Sequence, residues 1–416
     1  MSPPTSKTGG WCLRARRPGN GHDATAMTPP EFLSDPALSQ LFAALPDARV
    51  VGGAVRDALA GYPIADIDLA TPSAPSAVTA ALTRLGIRVV PTGLDHGTVT
   101  AVVAGRGFEI TTLRRDVETD GRRAVVAFTD DWREDAARRD FTINAMSMSR
   151  DGTLFDYFGG AADLRAGILR FVGDPATRIQ EDFLRILRYF RFFARYAARP
   201  PSPETRAALR DLVPGLASLP AERVWSELIR ILAAPNPAAA IALMDDLGVL
   251  AAIIPEGTNR PRLERLIAAD GPADPILRAA ALLTGDPLAF AARLRLSAAD
   301  RERLAAVLAA PAPGPDIGDD ALRRAMADTD PDILLGRIWL AGDDPAWAAL
   351  RGRVRSMPRP VFPLAGRDVR ALGLAAGPVV GALLREVRDW WLAGGCRADK
   401  AACQTELNRR ASGIAV

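Results

Sequence analysis

The stretch "VVGGAVRDALAGYPIADIDLA" (50–70) decides the fold of the first part of the chain. The apolar residues before Gly52 and Gly53 predict a strand, "AVRDALA" (54–60) predicts a short helix, and "IADIDLA" (64–70) predicts a second strand. A glycine pair between a strand and a helix lets backbone N–H groups approach an anion at the helix N-terminus, where the dipole favours negative charge. The stretch therefore predicts a strand–turn–helix–strand unit with an anion site at its turn.

Two aspartates fall on the second predicted strand. Because side chains alternate along a strand, Asp66 and Asp68 point to the same side, about 7 Å apart at Cα. Two carboxylates at this spacing repel each other unless a cation lies between them, and oxygen ligands suit Mg²⁺, which also coordinates phosphates. Such sites stabilise the attacking and leaving oxygens in phosphoryl transfer. Arg56 adds a guanidinium suited to phosphate oxygens. Glu109, on a later predicted strand, is either a third carboxylate or a solvated structural acid.

The remaining sequence divides by pattern. Residues 1–30 are rich in Pro, Gly, Ser and Arg and predict a disordered leader, with Met27 as an alternative initiator. Residues 31–165 alternate predicted strands and short helices, which indicates a head of the α+β class with a mixed sheet. Beyond the head, apolar residues recur at three-to-four spacing between Pro-rich breaks. This pattern predicts a helical neck at 166–255 and a helical body and tail at 256–416.

Composition excludes several functions. The net charge of the 416 residues is only +3, so affinity for nucleic acid must come from local arginine clusters. The only histidines are His22 and His96, which argues against a histidine-rich metal hydrolase. Three cysteines without metal-ligand spacing suit a reducing cytosol and predict a cytoplasmic protein. No apolar run approaches the roughly 18 residues that span a bilayer, so no membrane partner is expected. The oligomeric state is left open.

An arginine-rich segment follows the head. Residues 176–197 predict one helix with an apolar stripe, and arginines recur at three-to-four spacing on another side. Intrahelical salt bridges on an exposed face are one explanation of these arginines. Unpaired guanidiniums in a row repel each other, however, so an anionic partner explains them better.

Asp182 and Arg185 lie three residues apart on this predicted helix and are therefore neighbours. A carboxylate accepts from an exocyclic amino group, and a guanidinium donates to the adjacent ring nitrogen. Cytosine and adenine offer that donor–acceptor pair, whereas uracil and guanine present the reverse polarity. The pair could thus accept CTP and ATP and reject UTP and GTP without a nucleic-acid template.

The sequence resembles the class II tRNA nucleotidyltransferases (CCA-adding enzymes) and the closely similar bacterial poly(A) polymerases. The segments that carry the resemblance are "GGAVRD" (52–57), "DIDLAT" (66–71), "EDAARRDFTINAMS" (134–147) and "GDPATRIQEDFLRILRYFRFFARY" (173–196). The resemblance runs from about Arg49 to about Gly394. It implies a nucleotidyltransferase head followed by an all-helical neck, body and tail.

The resemblance also implies roles for individual residues. Asp66 and Asp68 would hold Mg²⁺ and act in catalysis, with Glu109 as a further candidate. The implied nucleotide-binding residues are Gly52, Gly53, Arg56, Arg139, Asp182, Arg185, Arg188 and Arg191. The implied partner is tRNA, with CTP and ATP as substrates. The alternatives are a poly(A) polymerase and a catalytically silent RNA-binding protein on the same scaffold.

Two further segments allow two interpretations each. Residues 113–132 look like the flexible loop that helps the pocket of this family switch from C to A, although an ordinary surface loop would have the same composition. Trp390 and Trp391 could stack on RNA bases, but core packing of at least one of them is the better expectation. The sequence does not identify individual tRNA contacts.

Overall fold

The computed structural model describes residues 24–119, 124–374 and 377–412. The chain divides into two compact units, Met1–Ile253 and Ile254–Val416. All strands of the described residues lie in the first unit. They are β1 (Ala24–Ala26), β2 (Arg49–Val51), β3 (Asp68–Thr71), β4 (Arg88–Gly93), β5 (Thr98–Val103), β6 (Arg106–Thr112), β7 (Arg114–Thr119), β8 (Ala124–Phe128), β9 (Ser147–Met148) and β10 (Thr153–Phe155).

Helices occupy both units. Those of the first unit are α1 (Pro36–Ala44), α2 (Gly53–Ala60), α3 (Pro75–Arg84), α4 (Trp132–Ala137), α5 (Gly160–Ala166), α6 (Pro175–Glu181), α7 (Leu184–Tyr196), α8 (Pro203–Asp211), α9 (Ala221–Leu232), α10 (Ala238–Asp246) and α11 (Val249–Ile253). Short 3₁₀ helices span Glu31–Ser34, Leu94–His96, Thr142–Asn144 and Val213–Ser218. The predicted α+β class, a mixed sheet followed by helices, is confirmed.

The second unit is helical. Its helices are α12 (Arg260–Ala268), α13 (Pro275–Leu282), α14 (Pro287–Arg293), α15 (Ala298–Leu308), α16 (Asp319–Asp328), α17 (Pro331–Ala341), α18 (Pro345–Ser356), α19 (Gly366–Arg370), α20 (Pro378–Ala393) and α21 (Lys400–Ser412). Trp391 is buried in the core of α19–α21 and donates its indole N–H to the carbonyl of Ala398 at 3.0 Å, whereas Trp390 is partly exposed. The expected core packing of one tryptophan is therefore confirmed. None of the helices that the structure describes is long and apolar enough to cross a membrane.

Eight strands form one sheet in the order β1-β10-β9-β2-β3-β6-β5-β4, and β7 pairs only with β8. The β3–β6 pair is parallel, and the other pairs of neighbouring strands are antiparallel. Apolar residues on one side of the sheet form the head core with α1 and α3. Its members include Leu38, Leu41, Val50, Leu69, Val78 and Leu82. The opposite side carries the polar residues that the sequence singled out.

The start of β3 differs from the prediction. Val51, the last residue of β2, pairs with Asp68, and Gly52 then turns the chain into α2 with a φ of +66°. Because β2 leaves the sheet there, the chain before Asp68 has no β2 partner. Asp66 therefore lies in the connection before the strand, and the expectation that both aspartates lie on one strand is wrong.

The predicted leader is also too long. Residues 1–23 lie outside the described residues, but Ala24–Ala26 form β1, which pairs antiparallel with β10. Met27 packs against the head core, and the Cα of Pro29 lies only 2.9 Å from the ideal Cβ position of Gly152. Residues 24–30 thus have partners that composition did not reveal.

Truncation distinguishes the contribution of residues 1–23 to stability from that of residues 24–30. Removing residues 1–23 is expected to leave the melting temperature unchanged, because their composition offers little apolar surface to bury. Removing residues 1–30 should lower it by roughly 3–8 °C, because β1 and the packing of Met27 are lost. The measurement is calorimetry of both truncated proteins and the full chain. Equal melting temperatures for all three would contradict a stabilising role of residues 24–30.

The segment 113–132 does not form a simple loop. β7 and β8 make a two-stranded antiparallel ribbon in which Arg114 pairs with Phe128. Residues 120–123, between the two strands, lie outside the described residues. Much of this segment is therefore a paired ribbon, and its role in switching the pocket from C to A stays a prediction.

A buried hydroxyl offers a stability test within the aromatic core of α7. Tyr189 is fully buried against Phe141, Phe171 and Phe193, and its hydroxyl has no hydrogen-bond partner among the described residues. Burial also raises the pKa of this phenol, so the group stays neutral. Tyr189→Phe is expected to raise the free energy of unfolding by about 1 kcal/mol, because an unsatisfied polar group is removed.

Tyr157→Phe is the matched control, because the Tyr157 hydroxyl accepts a hydrogen bond from Arg49 Nη1 at 3.2 Å. This variant should lose about 0.5–1.5 kcal/mol. Chemical denaturation of both variants is the measurement. A clear loss of stability in Tyr189→Phe would mean that the hydroxyl has a partner.

Candidate active site

A cleft of about 1060 Å³ lies within the first unit. Every predicted site residue except Glu109 lines it, although these residues come from separate segments. They are Gly52, Gly53, Arg56, Asp66, Asp68, Arg139, Asp182, Arg185, Arg188 and Arg191. Ten residues that were chosen from sequence alone therefore line the same cleft.

The glycine turn holds the first wall of the cleft. Gly52 adopts a left-handed φ of +66°, and a Cβ there would lie 3.1 Å from Arg139 Nη1. Glycine is thus required for both the turn and the close approach of Arg139. α2 begins at Gly53, so its first backbone N–H groups have no intrahelical partners and lie at the cleft, where the helix dipole favours an anion.

Arg56 is held by several partners. Its Nε and Nη2 donate to the two carboxylate oxygens of Asp57 at 3.0 and 3.1 Å, and its Nη1 donates to Asn144 Oδ1 at 2.6 Å. The residue is 9% exposed. The guanidinium is therefore fixed in orientation at the cleft wall.

Three carboxylates approach each other beside the glycine turn. The parallel register of β3 and β6 pairs Leu69 with Ile110, so Asp68 and Glu109 are adjacent one residue earlier on the same side. Partial burial raises the pKa of Asp68, and repulsion from Glu109 and Asp66 raises it further, while Arg139 opposes the shift. Asp68 nevertheless has substantial solvent-accessible surface, because it faces the open cleft. A bound cation would relieve this repulsion.

Glu109 is exposed and is absent from the described cleft lining. Its catalytic role stays a prediction. Among the described residues, no three His, Cys, Asp or Glu side chains form a group that could hold a metal ion. Asp66 and Asp68 are the cleft-lining carboxylates that approach each other beside the glycine turn, and further ligands would have to come from a substrate or water.

A buried polar network continues from Arg56. Asn144 donates to Asp140 Oδ1 at 2.9 Å, and Arg188 donates through Nε to Asp140 Oδ2 at 2.7 Å. Burial alone would raise the pKa of Asp140, but the Arg188 charge and the hydrogen bonds from Asn144 and the Phe141 N–H lower it. Asp140 therefore stays ionised and holds Arg188 at the cleft.

The predicted single helix at 176–197 is wrong, because the chain breaks at Asp182. α6 ends at Glu181, Asp182 has an extended backbone (φ −155°, ψ 106°), and α7 starts at Leu184. Asp182 Oδ1 accepts from the Leu184 N–H at 3.0 Å, as a capping carboxylate does. The break directs Asp182 to the cleft.

The break also changes the partners of Asp182 and Arg185. Asp182 Oδ2 accepts from Arg223 Nη2 at 2.7 Å, whereas Arg185 pairs with Glu181 and donates to the Arg178 carbonyl at 2.7 Å. Both side chains line the cleft, but they reach it from a helix cap and a helix turn. The expectation that helical spacing makes them neighbours is therefore wrong in its geometry.

The arginines of α6 and α7 are largely paired. Arg178 and Arg185 contact Glu181, Arg188 contacts Asp140, and Arg191 contacts Glu227 at 3.1 Å. The argument from unpaired guanidiniums is therefore wrong. Two of the partners, Asp140 and Glu227, lie outside α6 and α7. The arginine spacing along 176–197 therefore could not predict these ion pairs. The predicted apolar stripe is confirmed, since Ile179, Ile186, Leu187 and Phe190 are fully buried.

Sequence reasoning missed several residues of the cleft. They are Arg114, Arg138, Asn144, Tyr196, Arg223 and Arg230. Arg223, Glu227 and Arg230 recur along α9 at spacings of four and three, a charged line on an apolar helix that could have been read as a functional face. Tyr196 gives no such signal, because a tyrosine at a helix end is common.

Comparison with known proteins identifies the family. The Poly A polymerase head domain matches residues 48–170, and the domain described as "Probable RNA and SrmB- binding site of polymerase A" matches residues 201–260. The CCA tRNA nucleotidyltransferase 1, mitochondrial, of Mus musculus is 37% identical over 388 residues, which cover 88% of this chain and 87% of that protein. The chain belongs to the CCA tRNA nucleotidyltransferase family.

Bacterial relatives agree with this assignment. The CCA-adding enzyme of Streptococcus gordonii is 39% identical over 237 residues, 56% of this chain and 58% of that protein. The crystal structure of the Bacillus stearothermophilus CCA-adding enzyme in complex with CTP matches with a TM-score of 0.70 at 28% identity, covering 91% of this chain and 99% of that chain. Family and fold thus agree over most of the length.

Proposed function

We propose that this protein adds C, C and A, taken from CTP and ATP, to the 3′ end of tRNA without a nucleic-acid template. The observation that carries the proposal is the single cleft that brings together two carboxylates, a glycine turn at a helix N-terminus and the Asp182–Arg185 region. The family supports the same reaction through its relative from Mus musculus. A poly(A) polymerase and a silent RNA-binding protein are not favoured.

Asp66 and Asp68 are the proposed ligands of Mg²⁺. Mg²⁺ is typically held by one or two carboxylates together with substrate phosphates, which fits this pair of carboxylates in the cleft wall. When bound, the metal supplies positive charge that stabilises the attacking and leaving oxygens of nucleotidyl transfer. The repulsion that raises the pKa of Asp68 favours a cation at this place.

The triphosphate is proposed to lie against the glycine turn. The first N–H groups of α2, from Gly53 onward, offer backbone donors, whereas the Gly52 N–H donates to the Met146 carbonyl at 3.2 Å. Arg56 and Arg139 offer guanidinium donors beside them. These groups orient the nucleotide without reading its base. Arg188 and Arg191 are proposed to complete the nucleotide site from α7.

Base selection is proposed for Asp182 and Arg185. Asp182 would accept from the amino group of cytosine or adenine, and Arg185 would donate to the adjacent ring nitrogen. Since Asp182 is bound to Arg223 at 2.7 Å, a base that binds there must share or displace this contact. Uracil and guanine would place a carbonyl against the carboxylate and an N–H against the guanidinium, which is unfavourable at both positions.

The division into regions and the compartment complete the proposal. We assign the nucleotidyltransferase head to residues 31–165 and the neck, with the nucleotide-selecting helix and an RNA-binding region, to 166–255. The helical body and tail at 256–416 are assigned to tRNA binding. The proposed compartment is the cytoplasm, which the free thiols of Cys396 and Cys403 suit.

Incubation with tRNA that ends before its CCA sequence tests the reaction. With CTP, ATP and Mg²⁺ the product should grow by the three nucleotides CCA and then stop; with CTP alone it should stop after two. A long A tail would instead indicate a poly(A) polymerase, and no incorporation would indicate a silent RNA-binding protein.

A further inference from the structure

The last turn of α7 contacts the guanidinium of Arg56. Arg56 Cζ lies 4.6 Å from the ring centroid of Tyr196 and 5.0 Å from that of Phe192. Phe192 and Tyr196 are four residues apart on the helix and therefore share one face. Two aromatic rings of the neck thus pack on a guanidinium of the head, an arrangement that attracts a cation to each ring.

Tyr196 also reaches the carboxylate that holds Arg56. Its hydroxyl donates to Asp57 Oδ1 at 2.5 Å, and this carboxylate accepts from Arg56 Nε and Nη2. Burial raises the pKa of Tyr196 to about 12, so its phenol remains a proton donor at neutral pH. Asp57 is therefore fixed from two sides, by Arg56 and by Tyr196.

The hydrogen bonds of Arg56 determine what it can still bind. A guanidinium carries five N–H donors in a planar fork. Asp57 takes one donor from Nε and one from Nη2, and Asn144 takes one from Nη1. One N–H remains on each Nη atom, and Arg56 lines the cleft. These two donors suit phosphate oxygens, provided that the orientation of the guanidinium is held.

We infer that Asp57 and Tyr196 are positioning residues that hold the Arg56 fork toward the triphosphate of the incoming nucleotide. The inference rests on the proposed function. It gives α7 two tasks, because Arg185 in its first turn belongs to the base-reading region and Tyr196 in its last turn supports the phosphate contact. α7 is thereby a rigid connection between base selection and triphosphate binding.

Steady-state kinetics of Tyr196→Phe and Asp57→Asn test the inference, with tRNA that ends before CCA as the primer. A contact to the phosphates that is made equally before and during the reaction affects KM rather than kcat. We therefore expect the KM for CTP and for ATP to rise roughly three- to tenfold in both variants, with kcat nearly unchanged. The ratio of kcat/KM for CTP over UTP should stay as in the wild type, because no base contact is lost.

Tyr62→Phe is the matched control. Tyr62 lies beside Tyr196, with ring centroids 5.7 Å apart, but its hydroxyl donates to the Arg195 carbonyl at a long 3.4 Å and reaches neither Arg56 nor Asp57. Removing this hydroxyl should leave every kinetic constant unchanged. An equal rise of KM in Tyr62→Phe would show that any loss of a hydroxyl at this helix end has the same effect, and the inference would be overturned.

A double-mutant cycle gives the second readout. In an Arg56→Lys background there is no fork to hold, so Tyr196→Phe should produce no further rise of KM. A further rise of the same size would overturn the inference. So would a fall of kcat with KM unchanged, or a loss of melting temperature that accounts for the lost activity in both variants, since these outcomes assign the pair a structural role.

The same experiment separates this inference from the proposed function. If the wild-type protein adds neither C nor A to this primer, the proposed function fails. If the wild type is active and KM is unchanged in Tyr196→Phe and Asp57→Asn, only the positioning inference fails.

Discussion

Asp68→Asn is expected to abolish nucleotide incorporation. The substitution keeps the shape of the side chain and removes the charge that would hold Mg²⁺ in the cleft. Losing a metal-bound carboxylate should lower kcat roughly a thousandfold or more, which corresponds to about 4 kcal/mol of transition-state stabilisation. Asp66→Asn should behave in the same way. Binding of tRNA should remain nearly intact, because the helical regions are proposed to carry most of the RNA affinity.

The measurement is single-turnover incorporation of labelled CTP as a function of Mg²⁺ concentration, with tRNA binding followed separately. Asp47→Asn is the matched control, because Asp47 is an exposed aspartate in the turn before β2 and does not line the cleft. Glu109→Gln is expected to cost less than Asp68→Asn, since Glu109 is also absent from the described lining. Near-wild-type turnover in either aspartate variant would contradict the metal assignment.

Asp182→Ala is expected to lower the use of CTP and ATP and to narrow the gap to UTP and GTP. Losing one hydrogen bond to the base in a partly dehydrated pocket should cost roughly 1–3 kcal/mol, about one to two decades in rate. Discrimination should suffer more than catalysis, because the carboxylates and the phosphate contacts remain. Part of the cost comes from Arg223, which loses the carboxylate that it contacts at 2.7 Å.

The measurement is kcat/KM for all four nucleotides on tRNA that ends before CCA. Asp211→Ala is the control, because Asp211 is an exposed aspartate at the end of α8 that pairs with its neighbour Arg210 and does not line the cleft. Arg185→Ala should resemble Asp182→Ala. If Asp182→Ala slows every nucleotide by the same factor, the residue is structural and selection lies elsewhere.

The head was predictable because its signals are local. Alternating apolar residues and glycines mark β2, α2 and β3, and their order alone places the glycine turn beside Asp68. The position of Asp66 was not predictable in the same way. It depends on where β2 stops pairing, which is a property of two strands and not of one.

The neck was only partly predictable, because long-range contacts decide its details. Apolar spacing continues from 176 to 197, so periodicity gives no sign of the break at Asp182. Its contact with Arg223 on α9 lies 41 residues away in sequence. Phe183 packs against Gly215, where a Cβ would lie 2.1 Å from the ring, and this contact also joins residues that are far apart in sequence. Tertiary contacts of this kind override local helix propensity.

The partners of the arginines illustrate the same limit. Arg188 pairs with Asp140, 48 residues earlier, and Arg191 pairs with Glu227, 36 residues later. A count of charges within the segment shows more arginines than acidic residues. The distant carboxylates of Asp140 and Glu227 neutralise part of this excess positive charge. Ten residues of the cleft could be named from sequence, whereas the others and their mutual contacts could not.

Binding of single nucleotides to the protein without RNA tests the central claim most directly, since the claim is that side chains alone choose the base. Titration calorimetry in the presence of Mg²⁺ should give CTP and ATP dissociation constants at least about tenfold lower than those of UTP and GTP, the difference expected for one mismatched hydrogen-bond pair. In Asp182→Ala this difference should narrow. Equal affinities of the wild-type protein for all four nucleotides would contradict the account.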